Sequence, residues 1–306
     1  MSGVDLNGKV AVVTGAGRGL GRAYAQALAA AGAAVVVNDV DADSAAATVD
    51  AITGAGGRAV AEVGPVGPAD TADALVARAV SEYDRLDVMV TNAGILRDAV
   101  LWKMTDEQFD AVVETHLRGT FTCARAAARH MREQGQGGRL ILVGSPAGQY
   151  GNFGQTNYSA AKAGIAAFAR TWAMELARAE ITVNAIVPTA WTEMTATIPV
   201  YAPLVERVQA GQGLPRQVRQ AHALGMPEDC APLVVFLASD AAAGVTGQAI
   251  GIGGDKLTMY ASPVDVAAAF QDGGWTAEAI AEAWPTTLGP EQQRYGVSFP
   301  PLDLEQ

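Results

Sequence analysis

Three polar side chains in the middle of the chain, Ser145, Tyr158 and Lys162, have types and spacing that suit a proton-transfer site. Tyr158 and Lys162 are four residues apart in a stretch with helical periodicity, so both side chains lie on one helix face. A free phenol has a pKa of about 10, and a neighbouring positive charge favours the phenolate. We therefore expect Lys162 to lower the pKa of Tyr158, which would then act as a general acid or base near neutral pH.

Ser145 makes this pattern more specific than a tyrosine and a lysine alone, whose spacing is common by chance. It lies thirteen residues before Tyr158, at the end of an apolar run that predicts a strand. The carboxyl ends of parallel strands form the edge at which ligands bind in such folds. The sequence therefore predicts that Ser145 and Tyr158 meet at one site.

A glycine-rich turn follows the first predicted strand and opens a helix. Residues 14–21 read TGAGRGLG, which fits T-G-x-x-x-G-x-G and not G-x-G-x-x-G, because position 20 is leucine. Glycines let the backbone approach a pyrophosphate, and the helix N-terminus supplies N–H donors. The ordinary alternative is a tight turn that needs glycine for steric reasons. The predicted cofactor contacts in this loop are Gly15, Gly17, Arg18, Gly19, Leu20 and Gly21.

Asp39 ends the second predicted strand, some twenty residues beyond the loop. A carboxylate at this position accepts hydrogen bonds from ribose hydroxyls and repels a 2′-phosphate, so the sequence predicts NAD rather than NADP. Arg18 opposes this preference, because a cation favours the phosphorylated cofactor. The alternative is that Asp39 is an ordinary turn residue.

Composition excludes several other classes of protein. The 306 residues include 21 Lys+Arg and 32 Asp+Glu, a formal net charge of −11, and no basic run, which argues against nucleic-acid binding. Cys123 and Cys230 lie far apart in apolar stretches, so we expect no disulfide framework, no metal site and a reducing compartment. Without a signal-peptide pattern or an apolar run long enough to span a membrane, the sequence predicts a soluble cytoplasmic protein.

Apolar runs alternate with alanine-rich helical stretches along most of the chain. The predicted strands are 9–14, 34–39, 58–63, 86–91, 139–144, 181–187 and 248–252, and the predicted helices lie near 20–31, 42–53, 69–83, 105–134, 157–179 and 227–239. This alternation, with strands that are continuously apolar, predicts an α/β fold of the Rossmann type: a doubly wound, seven-stranded parallel sheet with helices on both faces.

We expect one domain over residues 1–306, with a substrate lid at 193–225 and a C-terminal extension at 255–306 that covers a substrate pocket or a neighbouring subunit. Between residues 195 and 225 the lid carries three arginines, Arg207, Arg216 and Arg219, and one carboxylate, Glu206, a net charge of +2. This charge suits an anionic substrate, and the alternative is that these side chains are simply solvated on the surface. The small faces of helices 105–134 and 157–179 favour a homodimer or homotetramer.

Taken together, these motifs resemble the short-chain dehydrogenase/reductase family over residues 8–254. The resemblance rests on the loop at 14–21, Asn92-Ala93-Gly94 after the fourth strand, Ser145 and the Tyr158–Lys162 pair. It implies that Ser145 polarises the substrate oxygen, that Tyr158 exchanges the proton, and that Lys162 binds the nicotinamide ribose. It also implies that Asn92, Ala93 and Gly94 line the adenine-ribose side.

The chain departs from that family's pattern at three places. His116 stands where relatives usually have an asparagine that holds a relay water; the imidazole either keeps the relay and titrates near neutral pH, or simply packs. After the third strand the usual aspartate is missing, which leaves the Val66 backbone for the adenine. Pro188 and Thr192 resemble the segment that closes over the nicotinamide, with Thr192 as carboxamide contact or, alternatively, as a cap for the lid.

Within the family, segments such as 92–98, 116–119 and 149–155 resemble the 3-hydroxyacyl-CoA dehydrogenase module of peroxisomal-type multifunctional enzymes. The implied reaction is NAD-dependent oxidation of a secondary alcohol, with a 3-hydroxyacyl-CoA or a steroid-type compound as small-molecule substrate. One alternative is an NADPH-dependent 3-oxoacyl-carrier-protein reductase, against which Asp39 argues. The other is a non-catalytic NAD-binding sensor or scaffold, which would have no need of Ser145, Tyr158 and Lys162 together.

Overall fold

The computed structural model describes residues 4–192, 195–197, 199–298 and 300–302, so lid residues 193, 194 and 198 lie outside the description. The strands are β1 Val10–Val13, β2 Ala34–Asp39, β3 Arg58–Val63, β4 Val88–Thr91, β5 Gly138–Val143, β6 Ile181–Pro188, β7 Ala249–Gly253 and β8 Lys256–Met259. The helices are α1 Gly19–Ala30, α2 Ala42–Gly54, α3 Ala69–Tyr83, α4 Asp106–Val113, α5 Gly119–Gln134, α6 Pro146–Tyr150, α7 Thr156–Leu176, α8 Ala202–Gln209, α9 Arg216–Ala221, α10 Pro227–Ala238 and α11 Ala277–Ala283.

All these strands form one sheet in the order β3-β2-β1-β4-β5-β6-β7-β8, and the first seven strands in the chain run parallel. The order of strands reverses between β1 and β4, where the connecting helices leave the sheet on opposite faces. Such a switch point creates a crevice at the carboxyl ends of the strands. The glycine loop after β1 and the Asn92 segment after β4 meet at this crevice.

The predicted parallel α/β sheet with helices on both faces is confirmed, but its predicted strand number of seven is wrong. The eighth strand, β8, pairs antiparallel with β7 and lies inside the predicted C-terminal extension. Its residues are mostly exposed, as is usual at a sheet edge. A search for continuous apolar runs misses such a strand, because that pattern marks only strands covered on both faces.

Two apolar layers cover the sheet. Leu28 of α1 and Val234 of α10 are buried on one face, and Leu75 of α3 and Ile165 of α7 on the other. The two cysteines are free and buried in these layers, consistent with their position in apolar stretches. Among the described residues, no helix has both the length and the apolar character needed to cross a membrane.

The long helix predicted at 105–134 is divided. Thr105 caps α4, and a π-helical turn over Glu114–Arg118 then separates α4 from α5. The wider turn changes the direction in which side chains leave the helix, and π-turns are frequent at functional sites. His116 lies in this turn.

The lid region contributes helices α8 and α9 and an apolar cluster of its own, which includes Trp191, Tyr201 and Leu204. From the C-terminal extension, Leu302 packs against the same cluster. The lid and the last described residues of the chain therefore form a continuous contact.

Candidate active site

The glycine loop is closely packed between β1, β2 and β4. A Cβ atom at Gly15 would lie 2.7 Å from the Cα of Ala93, and one at Gly17 would lie 2.7 Å from the Cβ of Ser44. At Gly21 a Cβ would collide with the carbonyl oxygen of Gly15. These three glycines are thus required by the fold itself, as the steric alternative proposes.

Gly19 differs from the other three glycines. Its φ of +53° is in the left-handed region, and the nearest atom to an added Cβ would be Thr192 Cγ2 at 3.9 Å. It borders a cleft of about 630 Å³ that Thr192 and Arg22 also line. The first turn of α1 therefore borders free space, which leaves room for a pyrophosphate at this helix N-terminus.

Thr14 and Asn92 join the glycine loop to the end of β4. The side-chain amide of Asn92 donates to the carbonyl oxygens of Thr14 and Gly15 at 2.9 and 3.0 Å. In return, the Thr14 hydroxyl oxygen accepts hydrogen bonds from the backbone N–H groups of Asn92 and Ala93. Asn92 thus positions the loop, and Thr14, the first residue of the T-G-x-x-x-G-x-G motif, is a partner that we did not predict as a site residue.

Asp39 points its carboxylate at the glycine loop, where Oδ2 accepts from the Gly17 N–H at 2.9 Å. Its other oxygen accepts from the Asp41 N–H at 3.2 Å. Arg18 is exposed at the N-cap of α1, and Val66 lies beyond the end of the neighbouring strand β3. The predicted adenosine-binding residues therefore share one end of the sheet.

Ser145, Tyr158 and Lys162 come together as the spacing predicts. Ser145 follows β5 and caps α6, and its Oγ accepts from the Ala147 N–H at 3.2 Å. Lys162 Nζ is 5.5 Å from the centre of the Tyr158 ring and donates to the Val143 carbonyl oxygen at 2.6 Å. Helices α6 and α7 approach closely at Gly148, where a Cβ would lie 2.7 Å from that of Lys162.

The pKa of Tyr158 differs from the expectation. Burial raises it above its ordinary value, and only the hydrogen bond from Ser145 opposes that change, while Asp98 adds to it. Burial also lowers the pKa of Lys162, to about 7, so the positive charge that was expected to favour the phenolate is only partly present near neutral pH. Without a ligand, this protein therefore holds Tyr158 protonated and Lys162 close to its titration point.

His116 is buried against Tyr158, with the two rings edge to face and their centres 5.0 Å apart. Its Nε2 is 3.0 Å from the Ile95 nitrogen and 2.8 Å from the Ile95 oxygen, and a Cβ at Gly94 would collide with the ring. Burial and the nearby Lys162 lower the pKa of His116 to about 3. The expected titration of His116 near neutral pH is therefore wrong, because a second positive charge in this buried place is unfavourable.

We expect the variant His116→Asn to keep the pH dependence of kcat unchanged between pH 5 and 9. A histidine with a pKa of about 3 stays neutral throughout that range, so its loss removes no titrating group. Steady-state rates across the range, for wild type and variant, measure this. A limb of the profile that disappears in the variant would show instead that His116 titrates during turnover.

Asn157 is a further residue that sequence reasoning missed. It is fully buried, and its amide donates to the carbonyl oxygens of Arg97 and Gln108, both at 3.0 Å. Its Oδ1 accepts from the Tyr158 N–H at 2.8 Å, so Asn157 fixes the first turn of α7. Nothing in its type or spacing signals this role, because all three partners are backbone groups.

Pro188 ends β6, and Thr192 follows four residues later, beside Gly19. The Thr192 hydroxyl is 3.2 Å from that of Thr195 and accepts from the Thr195 N–H at 3.3 Å. Thr192 therefore stabilises the start of the lid, as its alternative interpretation proposes, while its methyl group faces the glycine loop. Its contact with a carboxamide stays a prediction.

The lid arginines are not equally available to an anionic substrate. Arg219 forms a two-fold ion pair with Asp229, at 2.8 and 3.1 Å, and a third bond with Asp255 at 2.8 Å. Arg207 donates to the Gly213 carbonyl oxygen, whereas Arg216 is exposed at the start of α9. The expected basic surface therefore excludes Arg219, whose charge is neutralised within the protein.

Several buried polar atoms around this site have no hydrogen-bond partner among the described residues. Three of them, Thr91 Oγ1, Gln149 Nε2 and Ser159 Oγ, belong to residues close in sequence to Asn92, Ser145 and Tyr158, respectively. A fourth is His116 Nδ1, whose ring packs against that of Tyr158. Buried polar groups are normally paired, so unpaired ones mark places where a ligand or water binds. The described residues contain no group of side chains suited to a metal ion.

A family model described as short chain dehydrogenase matches residues 9–199. Hydroxyacyl-CoA dehydrogenase ChsB1 of Mycobacterium tuberculosis is 45% identical over 271 residues, which cover 85% of this chain and 81% of that protein. The 3-oxoacyl-[acyl-carrier-protein] reductase FabG of Thermotoga maritima is 38% identical over 81% of this chain and 98% of its own length.

Two further similarities concern a larger enzyme and a solved structure. The peroxisomal hydratase-dehydrogenase-epimerase of Saccharomyces cerevisiae is 40% identical over 75% of this chain, which spans 24% of that protein. The crystal structure of a short chain dehydrogenase from Mycobacterium avium superposes with a TM-score of 0.81 at 38% identity, covering 95% of this chain and 99% of the other.

Proposed function

This chain belongs to the short-chain dehydrogenase family, oxidoreductases that interconvert secondary alcohols and ketones, and from that premise we propose that it oxidises 3-hydroxyacyl-CoA thioesters with NAD. The observation that carries the reaction is the meeting of Ser145, Tyr158 and Lys162 at the sheet edge that also carries the glycine loop. The thioester is supported by the similarity to ChsB1, whose name describes a hydroxyacyl-CoA dehydrogenase.

The residues around the crevice fit a dinucleotide. The first turn of α1 borders a cleft, Asp39 is at the end of β2, and His116, which packs against Tyr158, has an unpaired buried Nδ1 among the described residues. When bound, the nicotinamide exchanges a hydride with the carbinol carbon of the substrate. The protein then has to orient that carbon, move one proton and keep water away.

Ser145 is suited to hold the reacting oxygen. Its Oγ accepts a hydrogen bond from Ala147, which leaves the hydroxyl proton for donation to the substrate. In oxidation Tyr158, whose phenol interacts with Ser145, first releases its own proton, and the phenolate then takes the proton of the substrate hydroxyl; in reduction the phenol form returns it. The charge of Lys162, 5.5 Å from the ring, stabilises the phenolate while the proton is absent.

We expect Asp39→Ala to reduce the preference for NAD over NADP by at least tenfold in kcat/KM. The change removes the carboxylate that repels a 2′-phosphate, while Arg18 stays as a cation beside it. Measuring kcat/KM with both cofactors tests the assignment. Asp43→Ala is the matched control, because Asp43 is an exposed carboxylate in the first turn of α2.

If the cofactor preference is the same in Asp39→Ala as in wild type, Asp39 is only a structural residue of the loop. A shift of equal size in Asp43→Ala would attribute the effect to general electrostatics instead of direct contact.

The substrate is tested by turnover of 3-hydroxybutyryl-CoA, of the same acyl group on a carrier protein, and of a hydroxysteroid. A preference for the CoA ester that weakens in Arg216→Ala supports the proposal, because that exposed arginine has no ion pair with another described residue, unlike Arg219. Preference for the carrier protein with NADPH favours the second candidate, a 3-oxoacyl-carrier-protein reductase, for which the similarity to the Thermotoga enzyme is the supporting observation.

We further propose that the chain forms a homodimer or homotetramer in the cytoplasm. The alanine-rich α5 and α7 offer small residues for helix packing between copies, and free buried thiols suit a reducing compartment.

A further inference from the structure

We propose that Gln149 recognises the thioester carbonyl of the substrate and makes the enzyme selective for 3-hydroxyacyl thioesters over simple secondary alcohols. This inference rests on the proposed function and names a residue that discriminates among substrates. It starts from the amide of Gln149, whose Nε2 is buried and has no hydrogen-bond acceptor among the described residues.

The position of Gln149 places it near the reacting oxygen. It lies in α6, four residues after Ser145, which caps that helix. Four residues of a helix advance by about 6 Å, so Gln149 is about one helical turn from the capping serine. The intervening Gly148 packs against the backbone of Lys162, so α6 is held against the helix that carries Tyr158.

The chemistry of the amide indicates the group that it binds. An Nε2 group donates hydrogen bonds, and a buried donor without an acceptor is unfavourable. In a 3-hydroxyacyl or 3-oxoacyl thioester the thioester oxygen is on C1 and the reacting oxygen is on C3. The two oxygens are therefore no farther apart than the rise of one helical turn, about 5.4 Å. With the reacting oxygen on Ser145, the thioester oxygen is the acceptor within reach of Gln149.

This end of α6 is covered by the last described part of the chain. The Gly296 N–H donates to the Tyr150 carbonyl oxygen at 2.6 Å, and the Val297 N–H donates to that of Gly151 at 3.1 Å. The side chain of Gln217 in α9 donates to the Pro301 carbonyl oxygen at 3.0 Å, which joins the same segment to the lid. Gln149 Nε2 is itself buried, and a hydrogen bond made at a buried atom discriminates more strongly than one made in water.

The test compares Gln149→Leu with wild type on two matched substrates, 3-hydroxybutyryl-CoA and its thioether analogue, in which a methylene replaces the thioester carbonyl. We expect kcat/KM for the thioester to fall 10- to 100-fold and that for the thioether to change less than threefold. Gln149→Glu is the second variant, since its carboxylate keeps the shape of the amide but cannot donate a hydrogen bond. It should show the same selective loss.

Two results would overturn the inference. If Gln149→Leu retains the full preference of the wild type for the thioester, the amide does not contact that carbonyl. If both substrates lose activity equally in both variants, Gln149 only maintains α6. A wild-type enzyme with no preference for the thioester would contradict the proposed function as well. That result is observed in the wild type, whereas the first two are observed in the variants, so the two kinds of failure can be distinguished.

Discussion

Tyr158→Phe is expected to lower kcat about 10³-fold while leaving the affinity for NAD within twofold of wild type. Proton transfer by a positioned side chain contributes roughly 10²–10⁴-fold to a rate, and phenylalanine keeps the ring while removing the hydroxyl that we propose exchanges the proton. The ring also packs against His116, so its retention preserves the surroundings of the site.

Steady-state kinetics and a titration of NAD against intrinsic fluorescence measure the two effects separately. Tyr295→Phe is the matched control, because Tyr295 is 94% exposed and should tolerate the change in both measurements. Full activity in Tyr158→Phe would contradict the assignment of the proton to this residue. A wild-type chain that binds NAD but turns over no alcohol or ketone would favour the sensor or scaffold that the sequence left open.

Lys162→Met is expected to lower kcat by at least 10²-fold and, at the same time, to raise the melting temperature of the ligand-free protein by a few degrees. The lysine is buried with one hydrogen bond, to the Val143 carbonyl oxygen, among the described residues. Placing a charge there is unfavourable, and an apolar side chain of similar length removes that penalty. We propose that the same charge stabilises the phenolate of Tyr158 during turnover, so activity and stability are expected to change in opposite directions.

The lowered pKa of Lys162 determines how the stability of the protein changes with pH. The pKa of Lys162 falls from an ordinary 10.5 to about 7 in the folded protein, so between those values the unfolded chain binds more protons than the folded one. Stability therefore rises with pH through this window, and the full penalty applies below about pH 7. In Lys162→Met this contribution disappears, and the gain in stability over wild type is largest below pH 7.

Thermal unfolding at pH 6 and pH 9 measures both statements, with Lys103→Met as the control because Lys103 is exposed. We expect no gain in the control at either pH. A Lys162→Met protein that melts below wild type at pH 6 would show that the ammonium is better paired than its contacts indicate.

Much of this site could be predicted from residue types and spacing. The four-residue interval between Tyr158 and Lys162 fixes their common helix face, and the apolar run before Ser145 places it at a strand end. Both inferences depend on local geometry, which a sequence encodes directly. The glycine positions are also readable, although at Gly15 and Gly21 the structure shows that the fold needs them whether or not a cofactor is bound.

Sequence patterns did not reveal three features, of which the second and third depend on contacts between distant parts of the chain. The edge strand β8 has no apolar run because solvent covers it, and the pairing of Arg219 with Asp229 and Asp255 joins residues up to 36 positions apart. The low pKa values of His116 and Lys162 result from burial, which exists only once the helices pack.

The sequence by itself determined the parallel α/β architecture, the glycine loop and the Ser145, Tyr158 and Lys162 set, because periodicity and short spacings are properties of the local chain. The tertiary structure decided which charges are neutralised, which buried groups stay unprotonated, and which polar atoms, such as Gln149 Nε2, are left without a partner. Those properties depend on the distance to groups far away in sequence and on the exclusion of water, and both arise only when the whole chain folds.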